Sequence, residues 1–218
     1  MKKGTRRSFY WAGGLLIAFA VWTALICLLD VQPIGPNASS VGLATLNGAF
    51  HSLTGTHMTL YVITDWLGIL PFLIAFGFAG YGLAQWIKRK SLRRVDFSIF
   101  VLGGFYLTVA GFYILFEVLT VNYRPILIEG VLEASYPSST TMLVMCVMPT
   151  AWMQLRARIK RKGLRVCVTG VIFAFTVFMV TGRLISGVHW LTDIIGGALL
   201  SVGLVMLYRS VCDLKAEE

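Results

Sequence analysis

Long apolar stretches separated by short polar connections dominate the chain. Each stretch is close to the roughly 20 residues that a helix needs to cross a bilayer. Six of them can be recognised, at residues 9–29, 66–87, 97–116, 138–155, 166–182 and 189–208. Antiparallel packing of such helices through short connections predicts an all-α membrane protein. We expect one six-transmembrane-helix bundle that forms a single membrane domain over residues 1–218, without an internal repeat.

The composition supports this class. The 218 residues are 57% hydrophobic, and the mean hydropathy is +0.77. These values exclude a soluble globular domain. A basic start followed by an apolar run is also typical of a secretory signal, but the run is long and lacks a convincing cleavage site. We therefore expect an uncleaved first span.

The net charge of +9 is explained by where the basic residues lie. There are 19 lysine and arginine residues. All but two of them precede the first span, follow the second, lie between the fourth and fifth, or follow the sixth. Six alternating spans place all of these on one side, and the positive-inside rule makes that side, with both termini, cytoplasmic. The clusters are topology signals that also contact anionic lipid headgroups, so we expect membrane lipids and no nucleic acid as partners.

Three segments then face the outer side of the cell membrane. Residues 30–65 form a long connection with a turn-rich start, followed by a stretch that favours an interfacial helix or a lid. Residues 117–137 and 182–190 are the other two outer segments, and the candidate site residues lie on them or directly beside them. The four cysteines have no metal-ligand spacing, so we expect free thiols.

The segment Gly-Arg-Leu-Ile-Ser-Gly-Val-His-Trp-Leu-Thr-Asp holds Arg183, His189 and Asp193 next to a membrane span. Ionisable residues are expensive there and indicate function. In helical geometry, His189 and Asp193 are four residues apart and share a face, so the carboxylate can hold the imidazole. Arg124 is the only other basic residue on the predicted outer side.

These residue types suit phosphoryl transfer without a metal or cofactor. Two guanidinium groups, from Arg124 and Arg183, can neutralise most of a phosphoryl group. A neutral His189 can act as a nucleophile. Pro137 suits a first helical turn, and the hydroxyls of residues 138–141 follow it at the start of a span. Free backbone N–H groups at such a helix start bind anions.

Together these positions resemble the three signature motifs of the type 2 phosphatidic acid phosphatase superfamily. The matching elements are Arg124-Pro125, Pro137-Ser138, and the Arg183, His189 and Asp193 spacing. The resemblance covers about residues 60–210 and extends to the integral-membrane topology. It implies that His189 is the nucleophile and Asp193 its orienting partner. It also implies that the phosphate is bound by Arg124, Arg183 and the helix start at Ser138, Ser139 and Thr140.

The motifs depart from the family pattern at several positions. Glu117 stands where the family carries a phosphate-binding Lys, Thr140 stands where it carries a His that protonates the leaving group, and Gly182 replaces a Ser. A general acid supplies roughly 10²–10⁴-fold in rate, chiefly where the leaving group is a poor anion. The resemblance implies a lipid phosphatase at the outer leaflet. The missing proton donor predicts that such an enzyme, if active, favours a lipid diphosphate such as a polyprenyl diphosphate.

Alternatives stay open at this point. The protein could be a lipid-phosphate-binding pseudoenzyme, or a phosphotransferase that uses a lipid acceptor at the same site. His189 and Asp193 could be a structural pair, and the hydroxyls of residues 138–141 could be a helix cap. Asp65 is interpreted as an N-cap, and Glu117 could pair with Arg124. His51 or His57, on the first outer segment, could replace the missing acid.

Overall fold

The computed structural model describes residues 2–217, and their regular structure is helical apart from three isolated β-bridges. Single-turn 3₁₀ helices occur at Pro36–Ala38 and Leu92–Arg94. The α-helices are α1 (Lys3–Leu28), α2 (Ala44–Thr54), α3 (Met58–Leu67), α4 (Ile69–Arg89), α5 (Phe97–Val118), α6 (Ser139–Arg158), α7 (Lys162–Ile185) and α8 (Leu191–Ala216). The expected all-helical bundle is thus present.

Within the described residues, five helical segments are long and apolar enough to cross a membrane. They are α1, α5, α7, α8 and the nearly continuous pair α3 and α4, which runs over Met58–Arg89. The second span therefore begins eight residues before the predicted position 66. Asp65 consequently lies within a helix, and its interpretation as an N-cap is wrong.

Helix α6 occupies the place of the predicted fourth span but is less apolar than the other five. It packs against α4, α5, α7 and α8, and its buried residues include Thr150 and Gln154. A helix that is surrounded by other helices presents little surface to lipid, so polar side chains are tolerated on it. The count of six membrane spans stays a prediction.

Helices α1 and α8 pack along each other in antiparallel orientation. At one end, the Glu217 carboxylate accepts hydrogen bonds from Lys2 N–H, at 2.6 Å, and from the Thr5 hydroxyl. At the other end, the Trp22 indole N–H donates to the Thr192 carbonyl at 3.1 Å. The two ends of the described chain therefore lie together, away from the site-bearing segments.

A polar cluster ties α4, α5 and α6 together at the end that carries the basic residues. The Asp96 carboxylate lies 2.9 Å from Arg89 and 3.6 Å from Arg158, and it accepts a 2.8 Å hydrogen bond from Gln85. The hydrogen bonds from Gln85 and Arg89 lower the pKa of Asp96. Part of the basic charge in this region is thus neutralised inside the protein.

The three predicted outer segments meet at the opposite end of the bundle. Helix α2 provides the expected helix in the first segment. The side chain of its buried Asn47 accepts the Thr192 backbone N–H at 3.2 Å and donates to the Thr192 hydroxyl at 3.0 Å. The second segment folds back on itself through bridges between Tyr123 and Ala134 and between Ile128 and Val131. The third is the turn between α7 and α8.

Candidate active site

His189 lies in the turn between α7 and α8. Helix α8 begins at Leu191, so the predicted placement of His189 and Asp193 on one helical face is wrong. The imidazole is nevertheless buried, with His189 only 3% exposed. Its Nδ1 is 3.8 Å from the nearer Asp193 oxygen, Oδ2, which is too long for a hydrogen bond. The two side chains are close but are not hydrogen-bonded to each other.

Ser135, from the second outer segment, fills the space between them. Its Oγ lies 3.0 Å from Nδ1 of His189, and its hydroxyl donates to Oδ2 of Asp193 at 2.5 Å. The same carboxylate oxygen accepts the backbone N–H of Trp190 at 2.9 Å. Ser135 is not among the residues predicted from the sequence, because nothing in the sequence distinguishes this serine from its neighbours.

Burial dominates the electrostatics of the imidazole. It lowers the pKa of His189 from 6.5 to about 4, although the Asp193 carboxylate acts in the opposite direction. The charges of Arg124 and Arg183 lower this pKa further, so both guanidinium groups lie within electrostatic range of the ring. His189 is therefore neutral at physiological pH. Its Nε2 is buried and makes no hydrogen bond to any described residue.

Arg183 is buried at the end of α7, with only 2% of its surface exposed. Its Nη2 donates to the Asp65 carboxylate at 2.8 Å and to the Thr140 hydroxyl at 2.6 Å. Asp65 is thus the ion-pair partner of Arg183. Nε and Nη1 of Arg183 are buried without a hydrogen-bond partner in residues 2–217. These two donors are suited to an anion.

Arg124 reaches the same place from the second outer segment. Its Nε lies 3.0 Å from a Glu133 oxygen, but the N–H does not point at that oxygen, so the contact is an ion pair only. The guanidinium carbon atoms of Arg124 and Arg183 lie 5.9 and 4.9 Å from the centre of one ring, that of Tyr61. The structure therefore brings the two predicted arginines together around a tyrosine of α3, which the sequence analysis also missed.

The three residues at the start of α6, residues 138–140, have different partners. Ser138 is the N-cap of α6, with its hydroxyl 3.4 Å from the Thr141 N–H, and its own N–H donates to the Asp193 carbonyl at 3.1 Å. The Ser138 backbone N–H is thus already engaged. Pro137 precedes this cap instead of lying in the first turn. Thr140 bonds to Arg183, and Ser139 is half-buried beside them.

A small cavity of about 20 Å³ adjoins this region. Glu117, Ser135 and Ser139 all line it. Glu117 is exposed at the end of α5, while the ion pair of Arg124 is made with Glu133. The suggested pairing of Glu117 with Arg124 is therefore not observed.

Close packing explains the departure at Gly182. A Cβ atom there would lie 2.7 Å from the Thr64 methyl group, so a serine does not fit unless the Thr64 side chain shifts.

The two histidines suggested as replacement acids each contact a backbone carbonyl through Nε2. His51 contacts Gly187 at 3.1 Å and packs on the Trp190 ring, and His57 contacts Thr54 at 2.9 Å. These contacts hold the outer loops together.

Known proteins are similar to this chain in both sequence and fold. The sequence model of the PAP2 superfamily matches residues 118–215, which include every predicted site residue. No curated protein matches the chain. One solved structure with a similar fold is the crystal structure of the first transmembrane PAP2 type phosphatidylglycerolphosphate phosphatase from Bacillus subtilis. It is 20% identical, the match covers 94% of this chain and 97% of that one, and the TM-score is 0.62.

The family match covers residues 118–215, which is less than half of the chain, and the structural match extends the similarity of fold to nearly all of it. Residues 118–215 are therefore similar to the PAP2 superfamily, and the overall fold is similar to that of a transmembrane PAP2 type phosphatase.

Proposed function

We propose that this protein is a metal-independent membrane lipid phosphatase that acts at the outer leaflet through a phosphohistidine. The observation that carries the proposal is the convergence of a neutral, buried imidazole with an unengaged Nε2 and two arginines that share the Tyr61 ring. A nucleophile beside two fixed cations suits attack on a phosphoryl group.

In the proposed reaction, Nε2 of His189 attacks phosphorus while the bond from phosphorus to the leaving-group oxygen breaks. Arg183 and Arg124 stabilise the negative charge on the non-bridging oxygens. Water then attacks the phosphohistidine, which releases inorganic phosphate and restores the neutral imidazole. The lipid tail stays among the helices, so only the headgroup enters the site.

Thr140 supports a preference for lipid diphosphates over monoesters. It occupies the place of the proton donor in the family motif, and its hydroxyl is bound to Arg183. An alkoxide is a poor leaving group without protonation, whereas a lipid monophosphate leaves a diphosphate as a stable anion. We expect the same purified protein to hydrolyse a polyprenyl diphosphate faster than phosphatidate. Faster hydrolysis of phosphatidate would refute this preference.

Phosphate release from a panel of lipid phosphates and diphosphates tests the function itself. We expect His189→Ala to lower the rate at least about 10³-fold, because covalent catalysis is lost. His57→Ala is the matched control, and it should retain the wild-type rate because its ring is bound to the Thr54 carbonyl. Equal rates in wild type and His189→Ala would overturn the mechanism.

A non-catalytic lipid-phosphate binder is the second candidate, and it is favoured by the absence of both the family Lys and the family His at Glu117 and Thr140. Such a protein would bind the lipids of the panel and release no phosphate. Transfer of the phosphoryl group to a lipid acceptor would instead give a phosphorylated lipid without free phosphate.

A further inference from the structure

We infer that Ser135 is a positioning residue through which Asp193 fixes the tautomer and orientation of His189. The inference follows from the hydrogen-bonding capacity of one hydroxyl placed between two side chains. The catalytic consequence rests on the proposed function, but the tautomer does not.

Proton counting sets the direction of each hydrogen bond. A serine hydroxyl has one proton and two acceptor lone pairs. At 2.5 Å from a carboxylate oxygen, which only accepts, the Ser135 proton is directed to Asp193. The 3.0 Å contact with His189 must therefore be a bond in which Nδ1–H donates to the Ser135 oxygen.

The tautomer then follows. A neutral imidazole carries one ring proton, and in His189 that proton is on Nδ1. Nε2 is left with a free lone pair, and this is the nitrogen that is buried without a partner among residues 2–217. The chain Asp193–Ser135–His189 thus selects the nucleophilic nitrogen before any substrate arrives.

The same two hydrogen bonds, from His189 to Ser135 and from Ser135 to Asp193, stabilise the phosphorylated state without moving a proton. When Nε2 forms its bond to phosphorus, the ring becomes a cation that retains the proton on Nδ1. That positive charge strengthens the bond to Ser135, whose hydroxyl is in turn polarised by the Asp193 carboxylate. Because Asp193 is 3.8 Å from Nδ1, it acts on the ring through Ser135.

The packing holds Ser135 in place. It is 3% exposed, and its backbone N–H donates to the Asn122 carbonyl at 2.9 Å. Trp190 contributes its backbone N–H to Asp193 and its indole N–H to the Tyr123 carbonyl at 2.7 Å. The second outer segment is thus tied through Tyr123 to Trp190, the residue that follows His189.

A double-mutant cycle in phosphate release tests the coupling. We expect Ser135→Ala to lower kcat about 10–100-fold, the range for outer-shell partners of a functional histidine, with KM changed less than about threefold. Asp193→Asn should behave similarly, and the double variant should be no slower than the worse single variant. Ser135→Thr retains the hydroxyl and should restore most of the rate. Losses that multiply in the double variant, or no loss in Ser135→Ala, would overturn the inference.

Nitrogen NMR of ¹⁵N-histidine-labelled protein tests the tautomer without catalysis. His189 is assigned from the signal that is lost in His189→Gln. We expect the Nδ1–H form in wild type and Ser135→Thr, and a mixture of tautomers in Ser135→Ala. A dominant Nε2–H form in wild type would refute the inference, even if the protein releases no phosphate. The absence of phosphate release with the expected tautomer would count against the proposed function alone.

Discussion

The dependence of protein stability on pH tests whether burial lowers the pKa of His189. The pKa of His189 is lowered from 6.5 to about 4 by burial, so the folded protein resists protonation of this ring while the unfolded chain accepts it. Between these two values the unfolded state binds more protons, and the free energy of unfolding falls as the pH falls. The contribution is fully present above pH 6.5 and is lost as the pH approaches 4.

The size of the effect follows from the pKa difference. At about 1.36 kcal/mol per unit, the full loss is about 3 kcal/mol. By pH 5 the loss is about 2 kcal/mol, since the ring in the unfolded chain is then almost fully protonated. For a chain of this size, about 2 kcal/mol corresponds to a decrease in Tm of roughly 4–8 °C.

Thermal unfolding in detergent at pH 8 and pH 5 measures this decrease. His189→Gln is the comparison, because glutamine does not titrate and the other histidines are unchanged. We expect the decrease in Tm between the two pH values to be smaller in His189→Gln by roughly 4–8 °C. If the decrease in Tm between pH 8 and pH 5 is the same in wild type and His189→Gln, the pKa of His189 is not lowered and burial does not have the proposed effect.

Two further predictions concern the supports of the site. Tyr61→Leu should lower kcat/KM about 5–160-fold, because two cation–π contacts of about 0.5–1.5 kcal/mol each are lost. Tyr61→Phe keeps the ring and should stay within about threefold, so equal losses in both variants would count against a role for the ring face. Gly187→Ala should lower the free energy of unfolding by about 1–3 kcal/mol in chemical denaturation, because Gly187 has φ +69° and a Cβ there would lie 2.0 Å from the Gly55 carbonyl oxygen. Gly103→Ala, with open space around it, is the control and should not be destabilised.

The sequence indicated the main chemical groups of the site because those groups are expensive beside a membrane. Arg183, His189 and Asp193 stand out against apolar neighbours, and Arg124 stands out because basic residues are otherwise confined to the opposite end. Both signals are local or depend on topology alone. They are therefore visible without knowledge of how the helices pack.

The supporting residues carry no such signal. Ser135 and Tyr61 are ordinary residue types at these positions, and their roles arise from segments distant in sequence: Ser135 bonds to Asp193, 58 residues later, and Tyr61 lies under Arg183. Asp65 was misassigned because the helix start was placed at residue 66. Apolar content marks a span, whereas the described helix begins at Met58 before the most apolar part.

Apolar content and charge thus determined the helical membrane class and pointed to the candidate groups at one end of the bundle, because these depend on transfer free energies that each segment has by itself. Only the tertiary structure decided the contacts between those groups. The start of α8 at Leu191 places His189 in a turn, and the second outer segment then inserts Ser135 between the imidazole and Asp193. A hydrogen bond depends on position to within a few tenths of an ångström, and that precision is set by the packing of distant segments.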